Sequence, residues 1–247
     1  MISTFFHAVF YNPIYNALVA LVALVPGSDV GIAVIILTIL IRLILLPFSL
    51  SAARTQRAMK ILEPKIKELK EKHKDDKERE AIETLELYKA AEVNPFSSIL
   101  VALIQIPVLL ALYWVFIYEP FSAINTARLY AFTPVPHAAS LLFLGIISVA
   151  SKSLVLAAFA GATQFLQALM ALKGTLKPSN GGPGGSFQEI IAVQLKYVFP
   201  VLIAVISYTT SAAIALYFIA TNLAGAAQEW HVRRVIARET HELEQMA

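Results

Sequence analysis

One ionisable side chain stands where such groups are costly. Residues 30–51, VGIAVIILTILIRLILLPFSLS, form an apolar run long enough to cross a bilayer, with Arg42 near the middle. A guanidinium at membrane depth costs from about 2.5 to more than 10 kcal/mol unless water or a partner receives it, and it does not escape by losing its proton. Snorkelling to the inner end, about eight residues away, means reaching roughly 12 Å at the helical rise. The chemistry such a residue offers is a wet, positive place inside the membrane that attracts polar or acidic segments. Thr38 lies four residues before Arg42 and shares its helix face. Further along, other apolar stretches carry Gln105, Gln164, Gln167, Tyr217 and Asn222, and Gln164 and Gln167 share a face. An amide facing lipid strands its donors and acceptors, so these faces are expected to converge on an interior groove. Each amide alone has a plainer reading as an interhelical bond worth about 0.6 kcal/mol. That reading leaves Arg42 unexplained, because the apolar blocks hold no Asp or Glu.

Other chemistry finds no foothold. His7, His73, His137, His231 and His241 show no i, i+4 pairing, and there is no Cys, so no metal site is expected. GGPGG at 181–185 lacks the lysine and strand–helix context of a phosphate loop. Ser151-Lys152-Ser153 sits at a membrane edge and reads as an interfacial anchor rather than a nucleophile pair. No cofactor and no enzymatic activity are expected.

The elements that must position these residues follow from composition. Hydrophobic residues make up 57% of the 247 and charged residues only 15%, against about 25% in a soluble domain, so the chain is expected to be an all-α, multi-pass membrane protein. Five transmembrane helices are expected, at 30–51, 94–118, 151–173, 190–209 and 211–229. With a first transmembrane helix from residue 4 as the alternative, residues 1–29 are expected to form an interfacial amphipathic helix and turn. Asn12 is its N-cap, Pro13 its first residue, and Tyr11 and Tyr15 lie at headgroup depth. Residues 119–150 are read as an outside loop, 174–189 as a flexible inside loop, and 230–247 as a tail.

Residues 52–93 break the apolar pattern. Eleven of the 20 Lys and Arg and ten of the 17 Asp and Glu fall between residues 51 and 93. Ile61, Leu62, Ile66 and Leu69 make one apolar stripe, and Ile82, Leu85 and Tyr88 another, which predicts an antiparallel helical hairpin. Pro64 is expected to kink or restart the first helix, and Asp75-Asp76 to turn the chain and cap the second. With this hairpin inside, the basic residues at 173, 177, 233, 234 and 238 also fall inside, which satisfies the positive-inside rule. The last apolar block must then cross twice, turning at Tyr208 to Ala212, with the N-terminus outside and the C-terminus in the cytoplasm. The first twelve residues lack Lys and Arg, so the start is expected to be that of the working protein, without a cleaved signal.

Five stretches in this order resemble a known family: LILLP after the central arginine, LEPKIKELKEK with LYKAAEVNPFSS, LIQIPVLLALYWV, GATQFLQ, and ALYFIATNL. The chain resembles the YidC/Oxa1/Alb3 membrane protein insertases over nearly its whole length, in a short form without a large outside domain. The resemblance implies a five-helix bundle with a hydrophilic groove open to the cytoplasm and to lipid. Arg42 matches the family's groove arginine, residues 52–92 match its mobile cytoplasmic hairpin, and Gln105, Gln164, Gln167 and Asn222 are carried over as groove lining. It departs at the last span, where Thr210-Ser211-Ala212 replaces the usual Pro-Ser-Gly element, and in lacking a long basic tail. The implied partners are nascent membrane proteins with short acidic translocated segments, the bilayer of a prokaryotic plasma membrane, and an association with ribosome, signal recognition particle and Sec translocon, with no direct nucleic-acid contact. The alternative from another class is a small-solute or anion transporter with Arg42 as binding site, against which stands the absence of an inverted repeat. A scaffold whose hairpin recruits partners leaves Arg42 without a role.

Overall fold

The computed structural model describes residues 2–74, 76–91, 97–119, 121–172 and 193–246. It is an all-α membrane protein, and its only strands among the described residues form a two-residue antiparallel β ladder. The elements are α1 (Ile2–Phe6), a π turn (His7–Tyr11), α2 (Asn12–Leu24), α3 (Val30–Lys72), α4 (Lys77–Ala90), α5 (Ser97–Tyr118), β1 (Leu142–Phe143), β2 (Ile147–Ser148), α6 (Leu154–Leu172), a second π turn (Gln194–Val198), α7 (Phe199–Thr209) and α8 (Ala212–Met246). Among the described residues, three helices are long and apolar enough to cross a membrane: Thr4–Leu24, Val30–Thr55 and Leu154–Leu172. Gln105–Tyr118 and Gln194–Thr209 are shorter apolar helices. The expected loop at 174–189 and the first residues of the spans expected at 94–118 and 190–209 lie outside the described residues.

The chain forms two compact units, residues 1–43 with 107–231, and residues 44–106 with 232–247. In the first, the N-terminal helix departs from expectation. Asn12 does not cap it, because the helix runs on upstream through the π turn to Ile2. The reason lies in Pro13. Its ring has no N–H and crowds the carbonyl four residues back, which is Val9, and widening the helix there relieves the clash. The same device recurs before Pro200, where the π turn at Gln194–Val198 includes the residue four positions back, Lys196. Tyr11 and Tyr15 are buried in the core, together with Leu18, Val19 and Val22. Val30, Ala33, Val34 and Leu37 of α3, Leu112 and Val115 of α5, and Ile214 and Tyr217 of α8 complete that core. Full burial of each such aliphatic side chain is worth about 1.5–3 kcal/mol relative to leaving it in water.

Polar clasps lock the 119–149 segment to this core. Asn16 accepts from the Tyr130 N–H (2.7 Å) and the Thr133 hydroxyl (2.8 Å), and donates to the Asn12 (2.8 Å) and Arg128 (3.1 Å) carbonyls. Glu119 is 5% exposed, accepts from Tyr11 Oη (3.0 Å) and pairs with Arg128 Nε at 2.9 Å. Asp29 caps α3, accepting from the N–H groups of Gly31 (2.7 Å) and Ile32 (3.1 Å), while its other oxygen takes the Leu144 N–H at 2.7 Å. The apolar stretch 141–147 becomes the β1–β2 hairpin, whose turn at Leu144 and Gly145 has φ of 52° and 72°. Phe143 packs where a side chain on Gly31 would stand.

α6 and α7 approach closely along small residues. A methyl on Gly161 would sit 3.0 Å from both the Ala204 Cβ and the Pro200 carbonyl oxygen. The last apolar block breaks between Thr209 and Ala212, where Thr210 leaves helical geometry (φ −94°, ψ −102°).

In the second unit α3 continues through Pro47 and Pro64 to Lys72 as one 43-residue helix, so Pro64 does not restart it. Its loss of one hydrogen bond is carried by the helix on either side, as at other intrahelical prolines. Asp76 caps α4 by accepting from the Arg79 N–H at 3.0 Å. Glu83 gathers His73 (3.0 Å), Arg79 (3.4 Å) and Lys72 (3.7 Å) around its carboxylate. Burial pushes the Glu83 carboxyl up, but the hydrogen bond and charge of His73, with Lys72 and Arg79, hold it below the usual carboxylate range. Of the two stripes, Leu62, Ile66, Leu69 and Tyr88 are half-buried, Ile61, Ile82 and Leu85 are half or more exposed, and α4 has no fully buried residue.

Candidate functional site

The face of α3 that meets the core is spaced by fours. Val34, Thr38 and Arg42 follow one another along it, while Ile39, Leu40 and Leu43 are turned outward. Thr38 is buried and donates its hydroxyl proton to the Val34 carbonyl at 2.7 Å. That bond engages its donor inside its own helix and leaves only acceptor capacity for neighbours. One turn on, the Arg42 side chain is half-buried, and its Nε is buried without a hydrogen-bond partner. No carboxylate among the described residues forms an ion pair with it.

Arg42 points toward α8. A side chain on Gly225 would collide with Gln167 Nε2 and lie 3.4 Å from an Arg42 guanidinium nitrogen. Gly225 is therefore the floor on which the ends of Arg42 and Gln167 meet. Tyr217, Thr221 and Gly225 follow at intervals of four on α8, on one face. Tyr217 is buried and within electrostatic range of Arg42. Thr221 is buried with a hydroxyl that has no partner. This corner thus holds two buried polar atoms without protein partners, Arg42 Nε and Thr221 Oγ1, a combination that native interiors normally avoid.

The other residues singled out in the sequence have different places. Asn222 is 1% exposed and donates to the Ala160 carbonyl and to Thr163 Oγ1, both at 3.2 Å. Both of its N–H donors are engaged in joining α8 to α6, which is the plain interhelical role. Gln164 is half-buried on α6, and the contacts that gather Arg42 and Gln167 at Gly225 do not include it. Gln105 is half-buried on α5 and belongs to the unit of residues 44–106 and 232–247. The residue that sequence reasoning missed is Gly225. Its only signal was a small residue in an apolar helix, three positions after Asn222, where close approach of another group is the usual reason for glycine.

Residues 21–239 match the family model described as 60Kd inner membrane protein. The chain belongs to this family, that of YidC and Oxa1. Among its relatives, the membrane protein insertase YidC of Clostridium perfringens is 30% identical over 206 residues, 83% of this chain and 79% of that protein. The protein of the same name from Fusobacterium nucleatum is 30% identical over 208 residues, covering 84% of this chain and 87% of the relative. That of Methylobacillus flagellatus is 29% identical over 208 residues, but the chain spans only 33% of its length. The matched residues include Arg42, Gln167, Tyr217, Thr221 and Gly225.

Proposed function

We propose that this protein is a membrane protein insertase of a prokaryotic inner membrane, and that the corner of Arg42, Gln167 and Gly225 is part of a hydrophilic groove for its substrates. The observation that carries the reading is a guanidinium without a carboxylate partner, its Nε buried and unpaired, on a helix apolar enough to span the bilayer. An ion so placed is tolerable only where water or a passing polar group completes its hydrogen bonds. Relatives named as insertases agree with this.

In this mechanism the substrate's short polar segment enters the groove from the cytoplasmic side. Moving one unpaired polar group through hydrocarbon costs several kcal/mol. A half-channel lined by Arg42 and Gln167, with Thr38 and Tyr217 on the same helix faces and Gln164 on the face of Gln167, shortens the dry path, and the positive charge draws acidic segments transiently. The apolar helix of the substrate then leaves sideways into lipid, driven by burial of about 20 apolar residues, without nucleotide hydrolysis. The N-terminus lies outside, the charged hairpin and C-terminus lie in the cytoplasm, and ribosome, signal recognition particle and Sec translocon are the partners with which the hairpin side works.

The test is insertion of a small single-span substrate into proteoliposomes. Arg42→Ala should lower insertion of a substrate with an acidic translocated tail at least several-fold, Arg42→Lys should restore part of it, and a neutral tail should respond less. Undiminished insertion of the acidic substrate by Arg42→Ala would remove the charge-attraction step.

A further inference from the structure

The segment 129–151 has a composition unlike a water-facing loop. It contains no Lys, Arg, Asp or Glu in 23 residues, where the average charged fraction of about 25% predicts five or six. Its large exposed side chains are mostly apolar, His137 being the exception: Phe132 is 83% exposed, Ile146 81%, Leu144 62%, Val135 49% and Leu142 48%. Tyr130 and Phe132 stand together with ring centroids 5.4 Å apart. The turn is of the kind that Asn-Gly or Gly-Gly makes without strain, yet Leu144 occupies its first left-handed position (φ 52°). A Leu there costs about 1–2 kcal/mol, and it carries one more apolar side chain to the tip.

This apolar tip is fixed in place. The Leu144 N–H is held by Asp29, the residue that caps α3. Ser140 exchanges backbone bonds with Ser28 (2.9 Å) and Val30 (3.1 Å). Val149 and Ser151 accept from the N–H groups of Ala213 (3.0 Å) and Ala212 (2.8 Å) at the start of α8. Val30 begins the apolar span Val30–Thr55, so Asp29 marks where that helix meets the membrane surface. Ile146 is two residues from Leu144, which at about 3.3 Å per residue keeps it within roughly 7 Å of Leu144, the residue held by the helix cap. The polar layer between hydrocarbon and water is itself only about 5–8 Å deep on each side. Beyond exposed Ser151 and Lys152, Leu154 and Val155 are the outward-turned first residues of the spanning helix α6.

We propose that the β1–β2 turn and the Tyr130–Phe132 pair form a lipid-surface anchor, seated in the headgroup–acyl boundary of the bilayer at the N-terminal end of α3. The occupant is lipid, and its attraction is apolar burial rather than charge, since the segment has no basic residue to read an anionic headgroup. The inference rests on the membrane character of the protein alone and is independent of what it inserts.

The chain has no cysteine, so single reporters are clean. Ile146→Cys, Leu142→Cys and Phe132→Cys, each labelled with an environment-sensitive nitrobenzoxadiazole probe, are reconstituted in vesicles of phosphatidylethanolamine and phosphatidylglycerol. Lys77→Cys, in the exposed hairpin turn, serves as the water control. The expected result is blue-shifted emission at 132, 142 and 146, quenching by lipids with a shallow doxyl group, and iodide quenching at least three-fold weaker than at 77. Omitting phosphatidylglycerol should change nothing. Iodide quenching equal to that at 77 overturns the proposal. So does a split between the positions, or protection that appears only at high protein-to-lipid ratio, which would indicate a second copy as the occupant.

Discussion

Gln167 of α6 ends against the backbone of Gly225 on α8, in space that any side chain at 225 would occupy. The Arg42 guanidinium borders the same space. A helix glycine here sacrifices about 1 kcal/mol of helix propensity relative to alanine, and what it provides is room for two polar groups to meet.

Gly225→Ala should therefore raise intrinsic helix stability while displacing Gln167 and crowding Arg42. In the proteoliposome assay, insertion of an acidic-tailed substrate is expected to fall several-fold with the thermal midpoint unchanged or higher. Adding Gln167→Ala to Gly225→Ala should recover part of the loss, because the collision partner is gone. Additive losses in that double-mutant cycle would show that the two residues act apart.

Asn16 makes four hydrogen bonds within its own helix and to the 128–133 loop. Asn16→Leu keeps the volume and strands those partners. At about 0.5–1.5 kcal/mol per bond, with a further penalty for buried unsatisfied groups, the loss should be about 2–4 kcal/mol. It is read as a lowered thermal midpoint in detergent, together with new protease cleavage near Tyr130.

Glu119 and Arg128 form a lopsided ion pair, since the carboxylate side chain is 6% exposed and the guanidinium side chain 44%. Arg128→Ala leaves a buried carboxylate with Tyr11 as its remaining donor, and should cost about 1–3 kcal/mol, below the full penalty of a buried pair because Arg128 is half in solvent. Glu119→Gln combined with Arg128→Ala should be milder than Arg128→Ala alone. Thermal midpoints of the three variants decide it.

The hairpin turn should loosen in acid. The Glu83 carboxyl is held low by His73, Lys72 and Arg79. A depressed carboxyl contributes stability that is complete above its unfolded value of about 4.3 and is lost as pH falls through its lower folded value. Amide exchange around Lys72 and Glu83 should be slower at pH 7 than at pH 3 after correction for intrinsic rates. Glu83→Gln should remove the difference.

Much of this architecture was legible in apolar run lengths and in the charge cluster at 51–93. They place α3, α5, α6 and the two helices of the last block because membrane spans and soluble helices differ in composition more than in periodicity. Other features were hidden for physical reasons. Asn12-Pro13 reads as a helix start, since Pro normally opens helices, and only tertiary packing of Tyr11 and Tyr15 makes it worthwhile to continue past the proline. The cap role of Asp29 was open to view, but its bond to Leu144 joins residues 115 apart in sequence and leaves no local trace. At the site, Arg42 announced itself by its cost in an apolar run. Gly225 did not, because its contribution is an absence of atoms, and Asn222 looked like a groove residue until both its donors were found engaged with α6.

The two π turns have a consequence for how the chain tolerates change in length. Each is a helix that has swallowed one surplus residue. Deleting Ala8, for example, would close the bulge and bring back the proline clash as a kink, while the helix faces on either side keep nearly their present phase. Elsewhere in a spanning helix, losing a residue scrambles the inward and outward faces beyond it. At the first π turn Ile2–Phe6 would keep its side, and with it the aromatic contact of Phe6 with Trp114. The chain thus carries, inside its most regular elements, two places where a one-residue change in length is absorbed without turning a helix face.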